Sequence, residues 1–129
     1  LGDVYKRQLI LVAEDDDSNF KLIKAIIGKK CDIQWAKNGE EIVALFKEYG
    51  KEAKAILMDI KMPVMNGLDA TKIIREENKE IPIIMQTAYA FSSDKENAMN
   101  AGASEVLVKP ITLSILRGTL TKYFPELVW

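Results

Sequence analysis

Apolar residues follow one another along this chain in two rhythms. Unbroken apolar runs occupy 9–12, 55–58, 81–85 and 106–108, and a shorter, half-polar run occupies 32–35. Short runs of that kind, bounded by turn residues, predict buried strands. Between them apolar residues recur every three or four positions, the period of a helix with one face against a core. Phe20, Ile23 and Ile27 share such a face, with Leu22 and Ile26 beside it; Ile42, Leu45, Phe46 and Tyr49 share another. Ile73 and Ile74 face inward on a helix over 68–76, 92–101 is a fourth helix, and Leu113, Leu116 and Leu120 line the last. The turn residues agree with this rhythm. Ser18 suits the N-cap of the first helix, Asn38-Gly39 a turn before the second, and Gly102 the residue just past the fourth. Pro63 and Asn66-Gly67 make 61–67 a loop, and Pro82 sits near the start of its strand, where a missing donor is tolerated.

Five strand-helix units in 129 residues, without repeats or an internal linker, predict one domain. Nearly continuous apolar strands alternating with amphipathic helices predict a parallel sheet covered on both faces, a doubly wound α/β fold. The pattern leaves the strand order open. Composition then removes several kinds of function. A net charge of -1 provides no field that recruits nucleic acid or an anionic membrane. No apolar run approaches the roughly 20 residues that span a bilayer. With no histidine, the chain has no Ser-His-Asp or Cys-His chemistry and lacks the usual zinc ligands. Hard oxygen donors favour Mg2+ or Ca2+ instead. The single Cys31 cannot form an internal disulfide and fits a reducing, cytoplasmic setting. Residues 1–8 have no clear period. DVYKRQ resembles an in-frame translation of a transposon adapter, so this lead-in is expected to be non-native.

In open parallel sheets, ligands bind beyond the carboxyl ends of the strands, where the strand order reverses. The first strand ends in Glu14-Asp15-Asp16, the third in Asp59, the fourth in Thr87-Ala88 and the fifth in Lys109-Pro110. Carboxylates from two strands, a hydroxyl from a third and an ammonium from a fourth thus emerge on one edge. Four consecutive acids, Glu14 to Asp17, are costly to crowd together unless a positive charge sits among them.

EDD after strand one, MDIKMPVMNG around strand three, TA after strand four and KP after strand five occur here in combination. On these motifs the chain from Leu9 to about Phe124 resembles the receiver domain of two-component response regulators. MDIKMPVMNGLDATKIIR, IPIIMQTA and KPIT are most similar to receivers of hybrid sensor kinases. The resemblance implies a flavodoxin-like (βα)5 three-layer sandwich with strand order 2-1-3-4-5, so that Asp15 faces Asp59 across a crevice. It implies that Asp59 is the phosphoacceptor, taking a phosphoryl group from a phosphohistidine of a sensor histidine kinase or histidine phosphotransfer domain. An anionic nucleophile attacking an anionic phosphoryl group needs charge neutralisation from both sides. In the family's arrangement Mg2+ would be held by Asp15, Asp59 and the backbone carbonyl of Lys61, with Glu14 bound through water. Lys109 would act as a point charge on the phosphoryl oxygens, Thr87 would donate a hydroxyl, and the small Ala88 would leave room for the donor. Asp16 and Asp17 are read as solvated charges at the start of a helix. Also implied are a cis peptide before Pro110, a dimer through the face of the fourth helix, fifth strand and fifth helix, and catalysis limited to the domain's own phosphoryl transfer and autodephosphorylation.

One position departs from the family. Many receivers carry an aromatic residue three positions before the lysine, where this chain has Val106, so the aromatic half of the Thr-aromatic switch is missing. The resemblance also implies that Tyr89 and Lys61 stand at positions that, in the family, tend to tune the lifetime of the phosphorylated state. Rival readings fare worse. A phosphohydrolase of similar sheet carries a second acid two residues after its nucleophile, where Lys61 stands, and a cap for which there is no room. A nucleotide-binding domain needs GxGxxG or GxxxxGK[ST] after the first strand, and neither occurs. A pseudo-receiver would lack one of Asp15, Asp59, Thr87 and Lys109, and all four are present. The tail 125–129 reads equally as a frayed end or an onward linker, and the chain as a stand-alone receiver or part of a longer protein.

Overall fold

Unbroken apolar runs become strands buried on both faces: Ile10, Leu11, Val12 and Ala13 have no exposed surface at all. In the computed structural model, which describes residues 7–89 and 92–129, strands and helices alternate throughout. They are β1 Gln8–Ala13, α1 Asp17–Ile27, β2 Cys31–Ala36, α2 Gly39–Tyr49, β3 Ala53–Asp59, α3 Gly67–Glu77, β4 Ile83–Thr87, α4 Ser92–Ala101, β5 Glu105–Val108 and α5 Leu113–Tyr123. All strand pairs are parallel, and the order is β2-β1-β3-β4-β5. Because side chains alternate along a strand, each sheet face collects its own core. Leu11, Ile56, Met58, Ile83 and Met85 pack with Ile42, Phe46 and Ile74 beneath α2 and α3. Ile10, Val12, Leu57 and Ile84 pack with Ile23, Ile27, Leu116 and Leu120 beneath α1 and α5. Among the described residues, no helix is long and apolar enough to cross a membrane.

Several boundaries differ from the sequence expectation for local reasons. The N-cap of α1 is Asp16, not Ser18: its carboxylate accepts the Asn19 N–H at 2.9 Å, and Ser18 lies inside the first turn. Both residue types cap well, and the tight connection from β1 gives the place to the earlier one. The expected strand over 81–85 is displaced to Ile83–Thr87. The Asn78 side-chain oxygen accepts the N–H groups of Glu80 and Ile81, both at 2.9 Å, and turns the chain there. The ladder begins only at the Pro82 carbonyl, which accepts Ile56 N–H at 2.9 Å. Asn66 is more than a turn residue, because its side chain accepts Asp69 N–H and caps α3. Leu22 and Leu113, placed near the buried faces by their period, are 46% and 49% exposed. The strip of each helix covered by the sheet is narrower than the apolar stripe.

At the chain ends, residues 1–6 of the lead-in lie outside the described residues. Gln8 is the first residue of β1. Arg7 pairs with Asp32 at 2.6 Å and donates to the carbonyls of Gly28, Lys29 and Cys31. The tail folds back: Trp129 Nε1 donates to Thr121 Oγ1 at 3.1 Å, and its ring lies 5.0 Å from the Arg117 guanidinium, which itself donates to the Ile26 carbonyl.

Between β3 and α3, Val64 has φ 70° while Met65 N–H donates back to Pro63 O at 2.7 Å, a γ-turn centred on a β-branched residue. That backbone region is strained for any residue but glycine. Val64 is 72% exposed, so its side chain contributes little packing. Val64→Gly is expected to stabilise the domain by about 1 kcal/mol, read as a higher urea midpoint with unchanged m-value. A lower midpoint would show that the valine is not strained.

Candidate functional site

Parallel strands end on one edge of the sheet, which is why segments distant in sequence converge there. The β1–β3 register pairs Ala13 with Met58, so the next residues, Glu14 and Asp59, leave the sheet side by side. The β4–β5 register pairs Thr87 with Val108, and Lys109 follows one residue on. Three backbone bonds extend the ladders past the strand ends: Glu14 N to Ala36 O at 2.9 Å, Ile60 N to Gln86 O at 3.0 Å, and Lys109 N to Thr87 O at 2.7 Å. The Lys109-Pro110 peptide is cis, as the resemblance implies.

Oxygens from Glu14, Asp15 and Asp59 lie within 4.8 Å of one another. Glu14 is fully buried, Asp59 is 5% exposed, and Asp15 is open to solvent. Lys109 Nζ lies 2.8 Å from Asp59 Oδ2 and 3.5 Å from Glu14 Oε1. One ammonium therefore serves two buried carboxylates. Asp59 Oδ1 also accepts Lys61 N–H at 3.3 Å, and Glu14 Oε2 accepts Asp16 N–H at 3.2 Å. Burial, followed by the neighbouring Asp59 charge, pushes the Glu14 carboxyl up to about 7, against the opposing pull of the Asp16 N–H and Lys109. Burial acts to lower Lys109, but its bond to Asp59 and the two carboxylate charges outweigh this and hold the ammonium above its ordinary value. Glu14 Oε1 is buried without a hydrogen bond. Three converging carboxylates, one with a buried oxygen that has an ion pair but no hydrogen bond, are a donor set suited to a small hard divalent cation.

Glu14, Asp15, Asp59 and Lys109 are thus brought together. Thr87 is buried at the last position of β4 and its Oγ1 accepts Tyr89 N–H at 3.1 Å, which leaves its own proton to donate elsewhere. Lys61 enters the site through its N–H; its ammonium lies 4.5 Å from the Tyr89 ring centre. Val106 is half-buried against the α2–α3 core. The other two acids of the run have separate tasks, Asp16 as helix cap and Asp17 paired with Lys37 at 3.6 Å.

Trp35 was not legible from the motifs, and Gly67, read only as a turn residue, has a closer role. Trp35 Nε1 donates to the Glu14 carbonyl at 2.8 Å; the available signal was a tryptophan at a strand end, whose N–H needs a partner when half-buried. Gly67 donates to Ile60 O at 2.8 Å, and a Cβ on it would be driven into the Asp59 carbonyl. Gly67→Ala must push α3 off the end of β3, with an expected loss of about 1–3 kcal/mol. Chemical denaturation checks this, and an unchanged midpoint would contradict the close approach.

Known proteins share this arrangement. The response regulator receiver domain model matches residues 10–121. Hybrid signal transduction histidine kinase I of Dictyostelium discoideum is 41% identical over 131 residues, which cover 92% of this chain and 8% of that kinase. The chain therefore spans a small part of that relative's length. Among solved structures, the receiver domain of a sensor histidine kinase from Pseudomonas aeruginosa PAO1, with a magnesium ion coordinated in its active site cleft, is 31% identical. It has a TM-score of 0.85, covering 93% of this chain and 99% of that one. The receiver domain of the Saccharomyces cerevisiae response regulator Ssk1, solved with the histidine phosphotransfer protein Ypd1, is 29% identical with a TM-score of 0.84, covering 94% and 91%. A match that runs through every strand and helix, in sequence as in fold, places the chain in the response regulator receiver domain family of two-component systems.

Proposed function

We propose that Asp59 accepts a phosphoryl group from a phosphohistidine on a sensor histidine kinase or a histidine phosphotransfer domain. The observation that carries this reading is a nearly buried carboxylate bonded to Lys109 at 2.8 Å, with two further acids converging on it. An Asp59 oxygen attacks phosphorus; the new P–O bond forms as the P–N bond breaks, and its electron pair returns to the imidazole nitrogen. Lys109 moves from the Asp59 oxygen to the phosphoryl oxygens, where its point charge meets the charge that develops. Thr87 turns its remaining proton to another phosphoryl oxygen. The Lys61 N–H holds Asp59 Oδ1 in place, leaving the carboxylate oriented for attack. Asp15, Asp59 and the Lys61 carbonyl would hold Mg2+, with Glu14 reaching it through water, and the ion would supply the remaining charge neutralisation.

The magnesium in the P. aeruginosa relative supports the cation, and the yeast complex supports a histidine phosphotransfer partner. The same reading places the domain in the cytoplasm, ascribes autodephosphorylation to it, and assigns the α4–β5–α5 face as a homodimer contact. With Val106 in place of an aromatic, the Thr87 half of the switch is present without its aromatic partner, and signalling through the α4–β5–α5 face uses another rearrangement or is weaker. The test is transfer of label from a phosphorylated histidine phosphotransfer domain in MgCl2, expected to stop on adding EDTA. A domain that binds Mg2+ yet takes no phosphoryl group from histidine donors or from acetyl phosphate overturns the proposal.

A further inference from the structure

We infer that Trp35 is a positioning residue for the cation-binding acids, acting through its indole N–H on the Glu14 carbonyl. The inference rests on the reading of Glu14, Asp15 and Asp59 as cation ligands. The β1–β2 ladder ends at the pair Ala13 and Ala36, and the last backbone bond beyond it is Glu14 N to Ala36 O at 2.9 Å. The Glu14 carbonyl then lies past the sheet, and the indole of Trp35 supplies its donor at 2.8 Å. Because a peptide unit is planar, fixing that oxygen also fixes the nitrogen and Cα of Asp15. The peptide units on both sides of Glu14 are therefore held from β2, one by backbone and one by a side chain. This matters most for Asp15, the exposed member of the acid cluster.

The indole is itself immobilised. Phe20 of α1 stacks on it with centroids 3.9 Å apart and planes 1° from parallel. Lys37 lies 4.7 Å from the ring centre and reaches Asp17 at 3.6 Å. An aromatic residue serving only as filler would be indifferent to its N–H; here the N–H is aimed at the one carbonyl that joins the two adjacent acids. Side chains that orient metal ligands typically change affinity by about 10–100-fold when removed. Trp35 acts one step further back, through backbone, so an effect of about fivefold is expected on that scale.

Trp35→Phe keeps a ring for Phe20 and deletes the N–H, whereas Phe20→Leu loosens the stack and keeps the N–H. Titration calorimetry with MgCl2 is expected to show about fivefold weaker binding for Trp35→Phe and little change for Phe20→Leu, although both lower the metal-free Tm. Equal Kd values in parent and Trp35→Phe, or equal weakening in both variants, overturn the inference. A parent that binds no Mg2+ overturns it together with the reading of the acids, and the parent titration alone separates the two failures. NMR of the unmutated domain supplies a second readout. The Trp35 indole resonance should exchange slowly and shift on adding MgCl2, while that of Trp129, bonded to Thr121 on α5, should not shift. A Trp35 resonance that stays in place overturns the inference even if Trp35→Phe does not fold.

Discussion

Asp59→Asn is expected to abolish phosphorylation and leave the domain folded. Intact mass after incubation with Mg2+ and acetyl phosphate should show one added phosphoryl group in the parent and none in the variant. The amide is close to the carboxylate in shape; its single oxygen can keep the Lys61 N–H, its NH2 then takes the place of the oxygen that faced Lys109, and Lys109 turns to Glu14 as its acceptor. Charge balance improves. The parent places two buried carboxylates on one ammonium, and the variant leaves Glu14 and Lys109 as a one-to-one pair. Burial still pushes Glu14 upward, but the Asp59 charge that adds to it is gone. The metal-free variant should therefore unfold at the parent's temperature or above it, while its affinity for Mg2+ falls by the loss of one ligand. An addition that survives in Asp59→Asn and vanishes in Asp15→Asn would move the nucleophile to the other strand. An unfolded variant would show that Asp59 holds the fold together in a way this geometry does not account for.

How far these features were legible depends on what physical quantity decides each. Strand identity was readable because burial on both faces demands apolar residues at every position, as in Ile10 to Ala13. The strand order was not in the pattern, since helix crossovers of equal length allow several orders; the motif resemblance supplied it. Ends of elements depended on contacts the pattern does not show. Asp16 and Ser18 compete for one cap, and Asn78 bends the chain with two side-chain bonds where Ile81 suggested a strand. The site acids were legible because parallel strands must deliver their ends to one edge. Trp35 was not, because its partner is a backbone carbonyl, identical at every residue, and only the register brings it beside Glu14. Leu22 and Leu113 show the same limit from the other side: periodicity ranks positions by angle, and the sheet decides how wide a strip it covers.

Lys109→Met should separate the lysine's electrostatic role in the metal-free fold from its role in transfer. In the metal-free domain the lysine is the only cation paired with Asp59 and Glu14 among the described residues. Removing one partner of a largely buried ion pair leaves the others uncompensated, with an expected loss of about 3 kcal/mol, softened because the Lys109 side chain is 22% exposed and Glu14 can take up a proton. Mg2+ should then bind more tightly than in the parent, because it no longer competes with an ammonium for the same oxygens, and should restore much of the lost stability. Phosphoryl transfer should still slow by about 10²–10³-fold, the usual consequence of deleting one preorganised charge from a transition state. Mg2+ affinity rises while stability and transfer fall, so a general defect in folding cannot mimic the set. Transfer at the parent's rate would remove Lys109 from the chemistry and leave it as a counter-ion of the resting site. Weaker Mg2+ binding would mean that the lysine orders the acids rather than competing with the cation for them.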